Sequence, residues 1–432
     1  MDTAQSADRG PQVQVRFHTR QQKHAIPDTA ILVPTRLRRF GLSEIINHLL
    51  DYAKPVPFEF LIGGKFLRSS LQTYLDSQSL STENTLDVEY IESTLPPKHT
   101  ASLQHDDWVA SVEGHRRRPF FLTGSYDHFT RVWDRSGKCL AVLKAHEAAV
   151  KSIAWLPSEE GSDAVQCISG GQDQKIFGWE FAPDQNTSRI MFECAGHTGS
   201  VDSLAVNPRG THFASASWDG TVRVWTISLD DIEEEDREAE QGRKRRRTAG
   251  KAVPVKVSQS VSTLEGHVGA ASSVVYDQSS GVGDTLFTGG WDHSVRVWDV
   301  ETGINTNTMN CERVILSADH TANSSLIVTG HADNAVRLWD PRAKDGLVVK
   351  LKLSSHTNWV SSVRWSPANL YTLVSGSYDS TVRVWDVRSS GPLHTLGAAT
   401  EVGQKVLSVD WVDDIILSGG EDSQLRVHSG KV

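Results

Sequence analysis

Residues 213–225 read FASASWDGTVRVW, and this stretch decides the fold. Alternation runs through Phe213, Ser215 and Ser217, breaks at Trp218-Asp219-Gly220, and resumes at Val222, Val224 and Trp225. That is the pattern of two short strands joined by a tight turn. Asp-Gly suits the turn, because Gly accepts positive φ and Asp hydrogen-bonds nearby backbone. The hairpin recurs. FLTGSYDHFTRVW ends at Trp133, CISGGQDQKIFGW at Trp179 and LFTGGWDHSVRVW at Trp298. IVTGHADNAVRLW ends at Trp339 and LVSGSYDSTVRVW at Trp385, and a decayed copy, ILSGGEDSQLRVH, ends at His428, which makes seven.

The terminal residues of successive copies lie 46, 46, 73, 41, 46 and 43 residues apart. Short strands at such a period, each copy with a Trp-Asp signature, mark an all-β, seven-bladed WD-repeat β-propeller. Five copies place a His upstream of the turn Asp: His105 with Asp127, His146 with Asp173, His197 with Asp219, His267 with Asp292 and His356 with Asp379. A lone His–Asp pair would suggest acid/base chemistry. Repeated five times with a Trp partner, it reads as framework. His105, Asp127 and Trp133, like His197, Asp219 and Trp225, are therefore structural candidates; resemblance to the repeat family implies that His, Asp, a strand hydroxyl and Trp hydrogen-bond in each blade. Copies five and seven lack the upstream His, and copy seven lacks the Trp, so those blades are expected to be less tightly fastened. The sequence runs only four residues past His428, too few for an outer strand. Residues 98–104 precede His105 as residues 138–145 precede His146, so they are expected to pair with the last blade and close the ring.

The 73-residue gap before Trp298 holds an insertion, residues 229–258, with no apolar periodicity. It reads as a disordered charged loop: an acidic block, then Arg243, Lys244, Arg245, Arg246 and Arg247. Two readings stay open, a self-neutralising solvated loop and a nuclear-import or RNA-touching signal.

Ahead of the repeats, residues 1–10 read as a disordered tail and residues 11–95 as a small α+β domain. Strands around Val13–Phe17 and 30–33, a helix over 42–52 capped by Ser43, strands at 58–62 and 65–67, a helical turn at 71–75 and a strand at 86–91 follow one another. That order resembles a ubiquitin-like fold. Pro96-Pro97 stiffens the linker to the propeller, residues 98–432.

Bulk composition excludes several classes. Net charge is −9, which argues against broad nucleic-acid binding, and no stretch approaches the roughly 20 apolar residues of a membrane span. Cys139, Cys167, Cys194 and Cys311 lie far apart and read as reduced thiols of an intracellular protein. No nucleotide loop, nucleophile elbow or metalloprotease motif is present, so no catalysis is expected. Propellers bind through their faces. The residues before the turn Asp are Tyr126, Gln172, Trp218, Trp291, Ala332, Tyr378 and Glu421, and Trp108 and Trp359 follow the blade His by three. Tyr126, Trp218, Trp291, Tyr378, Trp108 and Trp359 are thus partner-binding candidates, with packing between blades as the alternative.

QVRFHTR (14–20), GLSEIINHLL (41–50), KPVPFEFLI (54–62) and SLSTENTLDVEYI (79–91) resemble the Notchless-type N-terminal domain. Joined to seven WD repeats, they resemble the WD-repeat protein twelve family, the WD-repeat subunit of the nucleolar Pescadillo/Block-of-proliferation complex. The resemblance implies a non-enzymatic factor of the nucleus, nucleolus and nucleoplasm, needed for large (60S) subunit assembly and maturation of 25S/28S and 5.8S rRNA. It implies that the propeller joins the Block-of-proliferation propeller and Pescadillo in a heterotrimer on the pre-60S particle. The ubiquitin-like domain would dock on midasin, an AAA ATPase that strips the complex from the particle. The implied contact is Glu83 of SLSTE, with Ser79 where the family has Gly, completing in trans the coordination of Mg²⁺ in midasin's adhesion site; no cofactor of the chain's own is implied. A rival from another class is a substrate receptor of a cullin-type ubiquitin ligase, on the WDxR motifs ending at Arg342 and Arg388, and a third is a scaffold docking on the proteasome.

Overall fold

The structure, a computed structural model, describes residues 11–52, 54–93, 95–157, 163–227, 256–279, 281, 284–322, 325–342, 349–389, 391–397 and 403–430. Two compact units divide the chain between Pro96 and Pro97.

In the first unit the strands are β1 (Gln12–His18), β2 (Ala30–Pro34), β3 (Phe58–Ile62), β4 (Lys65–Phe66) and β5 (Leu86–Glu92), with helices α1 (Arg39–Leu49) and α2 (Leu71–Gln78). The sheet order is β2-β1-β5-β3-β4, with β1 parallel to β5 and the other pairs antiparallel. Period-two patterning explains β1: Val13, Val15 and Phe17 are buried while their neighbours face water. They pack with Leu42 and Ile46 of α1 and with Phe58, Phe60 and Tyr90.

Ser43 does not cap α1, which begins three residues earlier than the 42–52 expectation, at Arg39. Ser43 is buried inside the helix, where its hydroxyl donates to the Val56 carbonyl at 3.2 Å and accepts from the Phe58 N–H at 3.0 Å. Asn47, one turn on, donates to that same Val56 carbonyl and accepts from the Val56 N–H, both at 2.7 Å. A short polar residue near a helix start reads as a cap; here tertiary demand from the loop before β3 claims it. The genuine cap is on α2, where Ser70 accepts from the Thr73 N–H, and α2 ends on Ser79 at φ +52°. That left-handed position favours Gly.

The second unit is seven sheets, each with four antiparallel strands, the ring of blades expected from the repeats. The first blade is Val109–Gly114, Phe120–Ser125, Phe129–Asp134 and Cys139–Lys144. In the seventh, the strands Val406–Val412, Ile415–Gly420 and Gln424–Ser429 are joined by β6 (Lys98–Gln104). Pairing of β6 with the last strand runs from Gln104↔Gln424 to Lys98↔Ser429. The ring closes with its first strand on its last blade.

A serine stands at the third position of every innermost strand, and Ser152, Ser203, Ser273, Ser317, Ser362 and Ser408 each bond across to the neighbouring blade. The Val112 N–H donates to Ser408 Oγ at 3.2 Å across the closing seam, and Ala318 and Val409 do the same to Ser273 and Ser362 at 2.8 and 3.1 Å. Further along the same strands, Asp410 and Asp319 accept from Gly114 and Trp365 N–H groups at 2.8 and 2.7 Å.

One end of the insertion departs from expectation. Residues 229–255 lie outside the described residues, but Lys256–Ser258 forms a strand parallel to Phe192–Cys194, the outermost strand of blade two. Three residues show no periodicity, so the sequence pattern could not announce it. The open edge of the outer strand supplies the unpaired backbone groups that recruit it.

Deleting residues 98–104 should leave the edge of Gln424–Ser429 open. We expect concentration-dependent oligomers by light scattering, where the intact chain runs as one species; a deleted chain that stays monomeric and melts normally would contradict the closure.

Candidate functional site

The blade histidines are built into a polar relay. In blade three, His197 Nδ1 lies 2.8 Å from Asp219, His197 Nε2 lies 2.7 Å from Ser215 Oγ, and Trp225 Nε1 donates to that oxygen at 2.8 Å. A carboxylate only accepts, so Nδ1 carries the proton toward Asp219 and the Ser215 hydroxyl donates to Nε2. Blades two, four and six repeat it through His146–Asp173, His267–Asp292 and His356–Asp379. Burial pushes the Asp219 carboxyl up, but donors from His197, Thr221 and the Thr198 backbone outweigh it and hold it well below the usual carboxylate range. Asp379, Asp173 and Asp292 are depressed in the same way. Every member of the relay is satisfied by another, and Trp225 is fully buried. No reactive group is left over.

Blade one corrects the pattern. His105 still meets Thr123 at 2.8 Å, and Trp133 donates to Thr123 at 3.0 Å, but His105 Nδ1 faces the Leu103 carbonyl and not Asp127. Arg131 takes the Asp127 carboxylate at 2.5 Å and reaches Asp106 at 2.9 Å. A charge-assisted guanidinium–carboxylate bond outcompetes a neutral imidazole for the same oxygens. Burial, with Arg131 beside it, drives His105 down to about 4. Blade five, expected to lack a His, recruits His331 from its own strand: Nε2 lies 2.7 Å from Thr329 Oγ1, which accepts from Trp339 at 2.6 Å. In blade seven His428 is buried where Trp stands elsewhere and meets His99 edge-on at 5.5 Å.

Every residue before a turn Asp is fixed by one backbone bond. The N–H groups of Tyr126, Trp218, Trp291 and Tyr378 donate to the carbonyls of Trp108, Ser200, Ala270 and Trp359 at 2.9 Å, and Gln172, Ala332 and Glu421 make the equivalent bond. The candidate aromatics therefore come together in pairs on the turn side of the ring. Trp108 meets Tyr126 edge-on at 5.3 Å, Trp359 stacks on Tyr378 at 5.8 Å, and Trp218 meets Trp291 across blades three and four at 5.3 Å. Trp218 is 52% exposed, and Trp108, Trp291 and Trp359 are 41–42% exposed. Only the Trp218–Trp291 pair packs between blades, the other two pairs lying within blades one and six, and all three leave aromatic surface exposed to solvent. Polar handles are supplied at its centre: Lys151 donates to the Tyr126 hydroxyl at 2.7 Å, and Lys405 pairs with Glu421 at 2.9 Å while lying over the Tyr378 ring. Burial lowers the Lys151 pKa, but Asp202 and Tyr126 more than offset it and raise the value, so the ammonium stays charged.

Glu83 is exposed in the loop between α2 and β5. Its N–H donates to Ser81 Oγ at 3.2 Å, the Leu80 N–H donates to the Leu75 carbonyl at 3.0 Å, and no cation among the described residues pairs with its carboxylate. The basic run from Arg243 to Arg247 lies outside the described residues. Of the WDxR arginines, Arg342 is exposed, whereas the Arg388 side chain is only 15% exposed. Among the described residues no cluster of His, Cys, Asp or Glu could hold a metal ion.

The inner-strand serines, Lys151 and Lys405 were missed as connected features. The serines are legible once the copies are aligned on their turns; the lysines carry no signal, since only closure brings distant blades together.

Comparison with known proteins places this geometry. The NLE (NUC135) domain profile matches residues 13–75, and the profile of the WD domain, G-beta repeat, matches 97–134, 137–180, 188–226, 258–299, 305–340 and 348–386. The strands of the seventh blade from Val406 to Ser429 lie outside those matches, while β6 falls within the first of them. The chain is 37% identical over 422 residues to a ribosome biogenesis protein WDR12 homolog from Nematostella vectensis, covering 96% of this chain and 99% of that one. The chain belongs to the WDR12 family of ribosome biogenesis proteins. Ribosome biogenesis protein ytm1 of Schizosaccharomyces pombe is 36% identical over 98% of both chains, and the WDR12 homolog of Oryza sativa is 34% identical over the full chain and 99% of the relative. The relays of blades one to six thus lie in segments that match the WD-repeat profile.

The depressed Asp219 pKa sets a pH dependence. Its stabilising contribution is complete above the unfolded-state value, about 4, and is lost as pH falls through the lower native value. Asp219→Asn should lower the thermal midpoint by several degrees at pH 7 and by less at pH 3; equal losses at both pH values would contradict the relay.

Proposed function

We propose that the chain is a scaffold of large-subunit (60S) assembly with two separate docking devices. The propeller's aromatic face, centred on Trp218, Trp291, Tyr126 and Tyr378 and flanked by Trp108 and Trp359, binds the Block-of-proliferation propeller within the Pescadillo heterotrimer. The ubiquitin-like unit engages midasin through Glu83, so that the ATPase draws the complex off the pre-60S particle and maturation of 25S/28S and 5.8S rRNA proceeds. The run from Arg243 to Arg247 serves nuclear import, in keeping with a nucleolar and nucleoplasmic life.

The observation that carries this reading is the Glu83 carboxylate: exposed, without a cationic partner among the described residues, and held on a short braced loop. Mg²⁺ is hard, keeps near-octahedral geometry and takes one or two carboxylates with its waters, so one projecting oxygen ligand suits it. Bracing by Ser81 and the left-handed Ser79 limits the ordering that binding would otherwise cost. The aromatic face fits the second task, since Trp and Tyr dominate interface energetics.

The test is complementation in cells depleted of the endogenous protein. Glu83→Ala should leave the chain trapped on nucleolar precursor particles, with magnesium-dependent midasin binding lost and the heterotrimer intact. Trp218→Ala with Trp291→Ala should do the reverse, weakening the heterotrimer about 30-fold or more while midasin binding persists. Full rescue by both variants would overturn the proposal.

A further inference from the structure

A second charged surface lies on the ubiquitin-like unit, on the segment that leads from β2 into α1. The loop from β2 and the first two residues of α1 read TRLRRF, residues 35–40. It is pinned at two points, where the Gln72 N–H donates to the Thr35 carbonyl at 2.8 Å and the Leu71 N–H to the Leu37 carbonyl at 3.1 Å. Leu37 turns inward against the core, so Arg36 and Arg38 on either side of it are exposed. Arg39 and Arg68 converge on the buried carboxylate of Glu59, and each arginine side chain stays about half exposed, at 52% and 51%. Arg68 also lies over the Phe66 ring at 5.2 Å. Phe40, next in the chain, is 75% exposed.

Four arginines thus gather at one corner, opposed by Glu59, which two of them already neutralise, and by Glu44, one helical turn beyond Phe40. This concentration of positive charge stands in a chain of net charge −9. A hydrophobic core does not call for it: among the described residues the Arg36 and Arg38 side chains form no hydrogen bond or ion pair that holds the fold. Guanidinium groups are planar forks matched to phosphate oxygens. An exposed phenylalanine beside them offers a face on which an unpaired base can stack.

We propose that this corner binds single-stranded RNA, with Arg36, Arg38 and Arg68 on successive phosphates and Phe40 stacked on a base. Arg39 is a positioning residue that keeps Glu59 neutralised. An acidic protein segment would use the arginines but gain little from a lone exposed ring, so Phe40 favours RNA. The chain's family works on a particle made largely of RNA, and such a contact would hold the ubiquitin-like unit to it independently of Glu83.

The test uses the full-length chain with Arg243, Lys244, Arg245, Arg246 and Arg247 replaced by Gln throughout, so that the insertion contributes nothing. Anisotropy of a labelled, unstructured RNA of about 20 nucleotides reads the affinity. R36Q/R38Q/R68Q should weaken binding at least about 30-fold and reduce the log–log salt slope by about 2, near 0.7 per phosphate contact. Phe40→Ala should cost about tenfold with the salt slope unchanged. Unchanged thermal unfolding of each variant excludes misfolding as the cause. Affinity untouched by these substitutions would overturn the proposal. Equal competition by poly-glutamate, with Phe40→Ala neutral, would overturn it in favour of an acidic polypeptide.

Discussion

A ring of blades is stable only if its last blade meets its first, and here one strand makes that join. β6 contributes its backbone bonds to the Gln424–Ser429 edge and Leu103 to the core shared by blades one and seven. Without it, the edge of Gln424–Ser429 would face water. The same seam carries the Val112 to Ser408 and Gly114 to Asp410 bonds, which fix the inner strands of the two blades in register. Closure therefore sets the diameter of the ring, and through it the spacing of every residue on the turn side. Lys151 of blade two meets Tyr126 of blade one only because the blades are held at that spacing.

Seen this way, the blade relays and the aromatic face are two consequences of one repeat. The Asp that the relay buries lies one residue after the aromatic that the turn exposes. Asp219 is drawn inward by His197 and Thr221, and this pins the turn that projects Trp218. Framework and surface are adjacent in sequence, so His–Asp geometry that would suggest catalysis in isolation here positions an exposed aromatic ring. The relay tolerates substitution because only a buried ring nitrogen near the strand hydroxyl is needed. His331 supplies it in blade five from within the strand, and Arg131 displaces the His from Asp127 in blade one without disturbing the His105–Thr123–Trp133 part.

Repetition explains what was legible. Seven near-copies of one hairpin average out local ambiguity, and the displaced register of residues 98–104 is visible because every other blade shows where an outer strand belongs. The aromatic candidates followed from the same alignment. Features used once were harder. Ser43 looks like a cap because sequence shows the helix start but not the loop whose backbone needs its hydroxyl. Lys256–Ser258 is too short to carry a period and exists because an open edge lies beside it. The Asp127–Arg131 pair defeats a rule that holds in four other blades, since the competing guanidinium differs only in where its side chain goes. Glu83 is one surface acid among many by composition; its braced, unpaired state needs the structure, and its role needs the family.

The central claim is that β6 is an integral strand of blade seven and not an appended segment, and native-state hydrogen exchange tests it most directly. Backbone amides of residues 98–104 and 424–429 should exchange together, as slowly as those of His212–Ser217 and Thr221–Thr226 in the middle of the ring. Exchange of residues 98–104 within seconds, while the central blades remain protected, would show a ring that stands without its first strand and would contradict the account.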